Sequence, residues 1–441
     1  MRLKNQNCLL PILLLLCIPL VTTAQQTKPL SLEEALTLGV SNSKSLKLSK
    51  AKIEEVTAQQ KITKEQRLPQ AKASIMYNHA FMLTNQFQLS PGAEPFVLPR
   101  NADVYLGTAS VNQVIYSGNK HKYADESAAL LTKIAELDVT RQENEIKLAV
   151  IQLYFNLYKI KQSQKVIQQN FQDIDEKIIE TEKFVKQGLA TENDVLRWKL
   201  QRSNIEISNL DLTTSQKTVS YHLGLLLGLT DDNLIEVDTS LNLLATSSSF
   251  QDYVNQSLSN RKEVTIADYQ NQHSRLNIKS IQSSKYPTLA AGAALYHINP
   301  SANPIPKANS TITPLTVGLT LSYDIASLYT TKAKISQAEA SEKQTTIAKT
   351  VTEDNIRTEV KQSYEGYIQA REKIKLLEVA TEQATENYRI TNSKYKNNVA
   401  STTDRIDAET LLFQAKINLE LAKADAVVAY YTLLKSAGML P

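Results

Sequence analysis

Apolar and polar residues along the chain follow two periods, and each change of period marks an element. Ser31-Leu32-Glu33-Glu34 has capping-box spacing, so a helix starts there. The helical pattern breaks at Ser41-Asn42, resumes to Leu68 and is stopped by Pro69. From there the pattern alternates: Ala71, Ala73, Ile75 and Tyr77 against Lys72, Ser74, Met76 and Asn78, which is strand periodicity. A loop rich in Pro, Asn and Gly covers about 83–101, and a second strand runs over about 103–116 to Gly118. The stretch 119–187 then has neither Pro nor Gly and, as one helix, measures about 100 Å. Its seam, Ile146, Val150, Leu153, Leu157, Ile160, Gln164, Ile167, Phe171, Ile174 and Ile178, is spaced by threes and fours and is apolar at all but Gln164. Such a seam demands prolonged packing against near-parallel helices. Gly188 ends the helix, and Thr191-Glu192-Asn193-Asp194 caps a return helix reaching about Leu227, with Gly228 behind it.

The same plan then recurs. Helical residues run to Tyr286 and stop at Pro287. Strands are predicted near 288–298 and 315–326, the second with Leu315, Val317, Leu319, Leu321, Tyr323 and Ile325 on one face. A long helix covers about 330–397, its seam at Ile356, Val360, Tyr367, Ala370, Ile374, Leu377, Ala384 and Tyr388, and Ser401-Thr402-Thr403-Asp404 caps a return helix ending near Gly438. Ser41-Asn42-x-Lys44 lies over Ser259-Asn260-x-Lys262, Pro69 over Pro287, His79 over His297, Tyr154 over Tyr364, Asp194 over Asp404 and Gly228 over Gly438. A repeat near 200 residues is far longer than a solenoid unit and implies a duplicated half-structure. The expected divisions are a leader at 1–24, a first repeat at 25–228, a Ser-, Thr- and Asp-rich linker at 229–248 and a second repeat at 249–441, with helical hairpins over 119–228 and 330–438.

Composition narrows the setting. Arg2 and Lys4 followed by the apolar run Leu9 to Val21 form a secretory signal too short to span a bilayer, with Thr22-Thr23-Ala24 as the cleavage site. Cys17 does not read as a lipidation site, because bulky Leu16 precedes it. Both cysteines, Cys8 and Cys17, lie in this leader, so no disulfide, thiol or Cys metal site is expected beyond it. Losing Arg2 and Lys4 lowers the formal charge from +4 to +2, which gives no nucleic-acid footprint. Glycine is scarce, 11 residues in 441, as suits long helices.

Strands of about ten residues suit a bilayer. Four of them cannot close a barrel, and an open edge cannot face lipid, so chains must associate. Tyr77, Phe81, Tyr105, Tyr116, Tyr296 and Tyr323 lie on or near the strands, where interfacial aromatic girdles form.

In this order the motifs resemble the TolC-like outer-membrane efflux and secretion channels, over essentially the whole chain past the leader. The resemblance rests on the duplicated plan, on Leu30-Ser31-Leu32-x-x-Ala35-Leu36 and on Arg67-Leu68-Pro69 before the first strand. It rests also on Gln113-Val114-Ile115-Tyr116-Ser117-Gly118, close to a QPLFDGG-type strand ending, and on the hairpin tips Gly188-Leu189-Ala190-Thr191-x-x-Asp194 and Asp404-Arg405-Ile406-Asp407-Ala408. It implies a mainly α fold with a small transmembrane β-barrel portion, assembled as a homotrimeric α/β-barrel tunnel. The barrel sits in the bacterial outer membrane and the helices reach into the periplasm. A periplasmic adaptor (membrane fusion) protein and an inner-membrane pump of RND, ABC or MFS type dock on the helical tip. No cofactor, resident metal or catalysis is implied.

The resemblance assigns Asp404 and Asp407, three apart and so on one helix face, to a constriction at the periplasmic mouth, where three copies repel anions and attract cations. The bland alternative is a helix N-terminus that favours acids, which Asp404 satisfies as a cap. Asp194 matches an acid of the mouth latch, but the position of its Arg partner holds Ala400, and helix capping explains Asp194 as well. The tips Gly188, Leu189, Ala190, Thr191 and Asn398, Val399, Ala400, Ser401 would contact the adaptor, or are ordinary turns. The five histidines have no metal-ligand spacing, Trp198 and the pairs Tyr154/Tyr158 and Tyr364/Tyr367 read as packing, and no G-x-S-x-G, P-loop or HExxH occurs. A periplasmic coiled-coil structural or adaptor protein is the competing class; it explains the helices but not two strand hairpins at equivalent places.

Overall fold

The computed structural model describes residues 29–81, 83–97, 100–229, 234–238, 248–300, 311–397 and 399–441. The leader, most of the 229–248 linker and Asn398 lie outside this set. The chain is mainly helical with a small antiparallel sheet, in the order α1 (Leu32–Asn42), α2 (Lys44–Glu65), β1 (Gln70–Phe81), β2 (Gln86–Phe87), β3 (Phe96–Val97), β4 (Asn101–Tyr116), α3 (Lys120–Lys186), α4 (Glu192–Leu227), α5 (Phe250–Asn260), α6 (Lys262–Gln282), β5 (Thr288–Pro300), β6 (Leu315–Ser322), α7 (Ser327–Lys396) and α8 (Thr402–Ser436). Helix pair, strand pair and long helical hairpin thus follow one another twice.

The boundaries have local causes. Ser31, Ser249 and Ser401 each close a capping box with the acid three residues on. In the loop between β1 and β4, where only loop is expected, β2 and β3 pair as a short antiparallel ladder. β6 stops at Ser322 although the alternation continues to Ile325. Asp324 turns the chain, accepting the Ala326 N–H on Oδ1 at 3.0 Å and the Ser327 N–H on its backbone carbonyl at 3.0 Å.

The main sheet has the order β1-β4-β5-β6, every pair antiparallel. β1 and β6 are therefore open edges, and nearly every residue on both is exposed. Below the sheet the helices keep this order: α2 packs on α3, α3 on α6 and α6 on α7. Farther away α4 packs on α3, α3 on α8 and α8 on α7, so α4 and α7 flank a four-helix arc.

The core is a string of clusters along the long helices. One joins Ile146, Val150, Tyr154 and Leu157 of α3 to Leu223 and Leu227 of α4 and Ala35 of α1. A second joins Val360 and Tyr367 of α7 to Tyr253 of α5 and Leu433 of α8. The seams read from the sequence supply part of the buried set, Ile146, Val150, Leu157, Ile160, Ile167 and Ile174 of α3 and Ile356, Val360, Tyr367 and Ile374 of α7, while Ile151, Tyr154, Phe155 and Tyr158 bury a second row of α3 off the seam.

The repeated Ser-Asn pair has a structural role. Gly228 ends α4 at φ 72°, and a Cβ there would fall 2.6 Å from Asn42 Cβ. Asn42 uses that space to donate Nδ2–H to the last helical carbonyl, Leu227 O, at 2.7 Å. A Cβ at Gly438 (φ 69°), just after α8, would likewise fall 2.9 Å from Asn260 Cβ. Asn42→Ala should cost about 0.5–1.5 kcal/mol for the lost hydrogen bond. Gly228→Ala should cost more, because it adds about 1–2 kcal/mol of left-handed strain to the clash. Urea unfolding of the two variants checks the order.

Candidate functional site

Strand register sorts the sheet into two faces. Ala73, Ala109, Leu295 and Leu315 form one row, and Ala71, Val111, Ala293 and Val317 the next. Residues of the same parity include Ile75, Tyr77, Leu319 and Leu321, so this face is apolar. Lys72, Ser110, Ala294 and Thr316 form a row of the other face, beside Ser74, Thr108 and Tyr296.

The aromatic residues divide accordingly. Tyr77 lies opposite Tyr105 with ring centroids 5.0 Å apart, and its hydroxyl donates to Asp103 Oδ1 at 2.9 Å. His79, opposite Asp103, shares that carboxylate, and Phe81 packs edge-on to His79. At the opposite end a bulge between Val114 and Tyr116 lets Tyr116, rather than Ile115, pair with Leu289. Tyr116 thereby joins the apolar face, in the row of Leu289 and Leu321. Tyr296 does not belong with these: its partner is Thr108, opposite Ser74, on the polar face. Tyr323 lies just past the end of β6 and is exposed.

The far end of the helices carries two turns. Gly188 adopts φ 74° between α3 and α4, with Leu189 and Thr191 exposed and Ala190 partly covered. Between α7 and α8, Val399 and Ser401 are exposed and Ala400 is partly covered. Thr191 donates its N–H and hydroxyl to Asp194 at 2.9 and 2.7 Å, and Ser401 does the same for Asp404 at 2.9 and 2.7 Å. Asp404 is exposed, and these hydrogen bonds hold its carboxyl below the ordinary range. Asp194 is half-buried. Burial pushes its carboxyl up, but hydrogen bonds from Thr191 and from Thr402 at the neighbouring hairpin tip, with the charge of Arg197, bring the net shift down. Asp407, one turn beyond Asp404, is exposed.

Between the tips lies a cluster that the sequence did not single out. Arg405 is completely buried although it sits at the start of α8. Its Nη1 donates to Glu180 of α3 at 3.1 Å, and its guanidinium stacks on Tyr395 at 4.6 Å and Trp198 at 5.8 Å. Phe184 and Tyr395 also meet, with centroids 6.5 Å apart. Arg405 thus ties hairpin α3–α4 to hairpin α7–α8. Its only sequence signal is a cation on the same short turn as two acids. One helical turn on, burial pushes the buried Glu409 carboxyl up, with Lys177 and Arg405 opposing.

Among the described residues no group of three or more His, Cys, Asp or Glu is placed to hold a metal ion. Nor is any described helix long and apolar enough to cross a membrane.

Open strand edges, a sheet with one mainly apolar face, and long helices ending in acid-bearing turns are the arrangement expected of an outer-membrane channel. Residues 253–439 match the outer membrane efflux protein family, so the resemblance to TolC-like proteins holds. The fold is shared with several solved bacterial proteins. VceC from Vibrio cholerae is similar at a TM-score of 0.76 and 17% identity, over 92% of this chain and 96% of that one. The CmeC outer membrane channel of Campylobacter jejuni is similar at 0.77 and 14% identity, over 92% and 85%. CusC, a transmembrane channel, is similar at 0.78 and 14% identity, over 92% and 92%. No curated protein matches the chain in sequence at a significant level.

The buried ion pair separates two substitutions. Glu180→Gln leaves a fully buried guanidinium without its carboxylate, a loss that reaches about 3–5 kcal/mol at buried pairs. Arg405→Met removes the charge with its desolvation cost, keeps a stem against Trp198 and Tyr395, and should cost less. Hydrogen exchange over 395–409 reads the difference. The same region should respond to acid in two stages. Glu409, with its raised pKa, stabilises it as pH falls toward 4.5, its ordinary value. Asp194 and Asp404, with depressed pKa values, give stability that is complete above 3.8, their ordinary value, and is lost below it.

Proposed function

We propose that the chain is one third of a passive outer-membrane duct, the exit of a tripartite efflux or type I secretion system. The observation that carries this is the pair of matched open edges. β1 and β6 leave backbone groups unpaired at one end of the protomer, and α4 and α7 leave apolar stripes uncovered at the other. On α4 these are Leu196, Leu200, Ile207 and Leu210, at 59–66% exposure; on α7, Leu376 and Val379 are more than half exposed. A second copy related by rotation covers a β1 edge with a β6 edge and an α4 flank with an α7 flank, and a ring of copies closes both barrels at once.

In this assembly the apolar face meets lipid and the polar face lines the lumen. Tyr77, Phe81 and Tyr105 mark one interface, and Tyr116 with Tyr323 the other. The element order, repeated about 218 residues apart in its first half, supports descent from a duplication. The tip turns, with Leu189 and Val399 outermost, are the adaptor-contacting surface, and the pump behind the adaptor supplies the energy. Asp404 and Asp407 of three copies form the cation-attracting mouth. Asp404 acts as a helix cap as well, the two roles being compatible because its carboxylate stays exposed and ionised.

Purified protein should sediment as a trimer and pass ion current across a planar bilayer; absence of current would count against the channel and favour a structural coiled-coil role. Leu200→Glu with Ile207→Glu should dissociate the trimer while leaving helix content unchanged. Asp404→Asn with Asp407→Asn should reduce cation selectivity. Unchanged conductance and selectivity would remove these two residues from the mouth.

A further inference from the structure

Charge is nearly absent from the strands, and where it occurs its position is informative. Across β1, β4, β5 and β6 the only Lys or Arg is Lys72 and the only Asp or Glu is Asp103. Asp103 lies on the apolar face at the girdle of Tyr77 and Tyr105, bound by Tyr77 and His79. Lys72 lies on the other face. It is exposed, takes part in none of the ion pairs among the described residues, and its row-mates Ser110, Ala294 and Thr316 are neutral.

Its height follows from the register. Lys72 pairs with Ser110, which stands midway along β4 between Tyr105 and Tyr116, one residue of each aromatic girdle. Lys72 is therefore near mid-membrane, where a lysine turned toward lipid costs about 2–4 kcal/mol. Parity and cost agree that it points into the lumen. No carboxylate shares that face along the described strands, so no neighbour on the sheet neutralises it.

We propose that Lys72 determines charge selectivity in the barrel section: three copies form a ring of ammonium groups around an otherwise uncharged wall, favouring anions and anionic groups on the cargo. The inference rests on the trimeric channel proposed above. It gives the duct two opposite charge filters in series, acidic at the helical mouth and basic at mid-barrel. Cargo leaving the acidic mouth meets a field of the other sign, which selects against cations that the mouth admits.

The test uses the full-length trimer in planar bilayers under a KCl gradient, in the Asp404→Asn, Asp407→Asn background so that the mouth does not mask the barrel. Lys72→Gln should move the reversal potential toward the potassium equilibrium potential, and Lys72→Glu should move it further. Ser74→Lys, one row away on the same face, should move it in the opposite sense. All three shifts should shrink in strong salt, where the screening length falls from about 10 Å at 0.1 M to about 3 Å at 1 M. Where a variant does not insert, Lys72→Cys supplies a thiol in a chain whose own cysteines, Cys8 and Cys17, precede residue 25. Anionic and cationic methanethiosulfonates added to inserted channels should then shift selectivity in opposite directions. Channels that conduct but show the same reversal potential in every variant, or a thiol introduced by Lys72→Cys that stays unmodified, would overturn the role of Lys72 and leave the channel standing. Loss of all current in the unmodified protein would overturn both.

Discussion

An unpaired strand edge has backbone N–H and C=O groups that need partners, and in hydrocarbon each one left without costs several kcal/mol. Here β1 and β6 are such edges, on a sheet whose outer strands are exposed on both faces in the single chain. Much else in the protein follows from how those groups are satisfied. Within the single chain neither edge is covered, and a helix laid over either would cover the apolar face that the proposed membrane placement needs. Edge-to-edge association of copies leaves that face free.

The helices meet the same requirement by different physics. Their hydrogen bonds are internal, so the uncovered flanks of α4 and α7 create no hydrogen-bonding deficit, only exposed apolar surface. The unit of the structure is therefore specified twice over, by directional hydrogen bonds at the sheet and by non-directional apolar burial along the helices. Because sheet and helices share one order across the arc, a single rotation between copies, as in the proposed assembly, would answer both demands.

At the tip, electrostatics takes over from burial. The capping acids Asp194 and Asp404 hold the helix starts, and Arg405 joins the two hairpins through Glu180. A buried guanidinium paired with Glu180, near Glu409 and against two aromatic rings, is a local cross-link on helices otherwise held by long, repetitive seams. It stands where two hairpins with no covalent connection near their tips must keep their relative position.

Capping boxes, prolines before strands, the three-four seams of α3 and α7 and the terminal glycines all act over a few residues. They were legible in the sequence, and with them the helix-dominated class and the strand hairpins. Other features depend on partners distant along the chain. In β5 both parities carry alanines (Ala290 and Ala294 on one, Ala291 and Ala293 on the other), so alternation alone does not show which face Tyr296 occupies; pairing with Thr108 decides it. The place of Tyr116 depends on a one-residue bulge, and the end of β6 on hydrogen bonds from Ala326 and Ser327 to Asp324. Arg405 has the sequence context of a solvated cation and is buried because Glu180, Trp198 and Tyr395 converge on it from three other helices. The sequence by itself determined the elements and their order, because periodicity and capping are local physics. Which faces meet, and which charges end up inside, was decided by the tertiary structure, because strand register and burial depend on residues that only folding brings together.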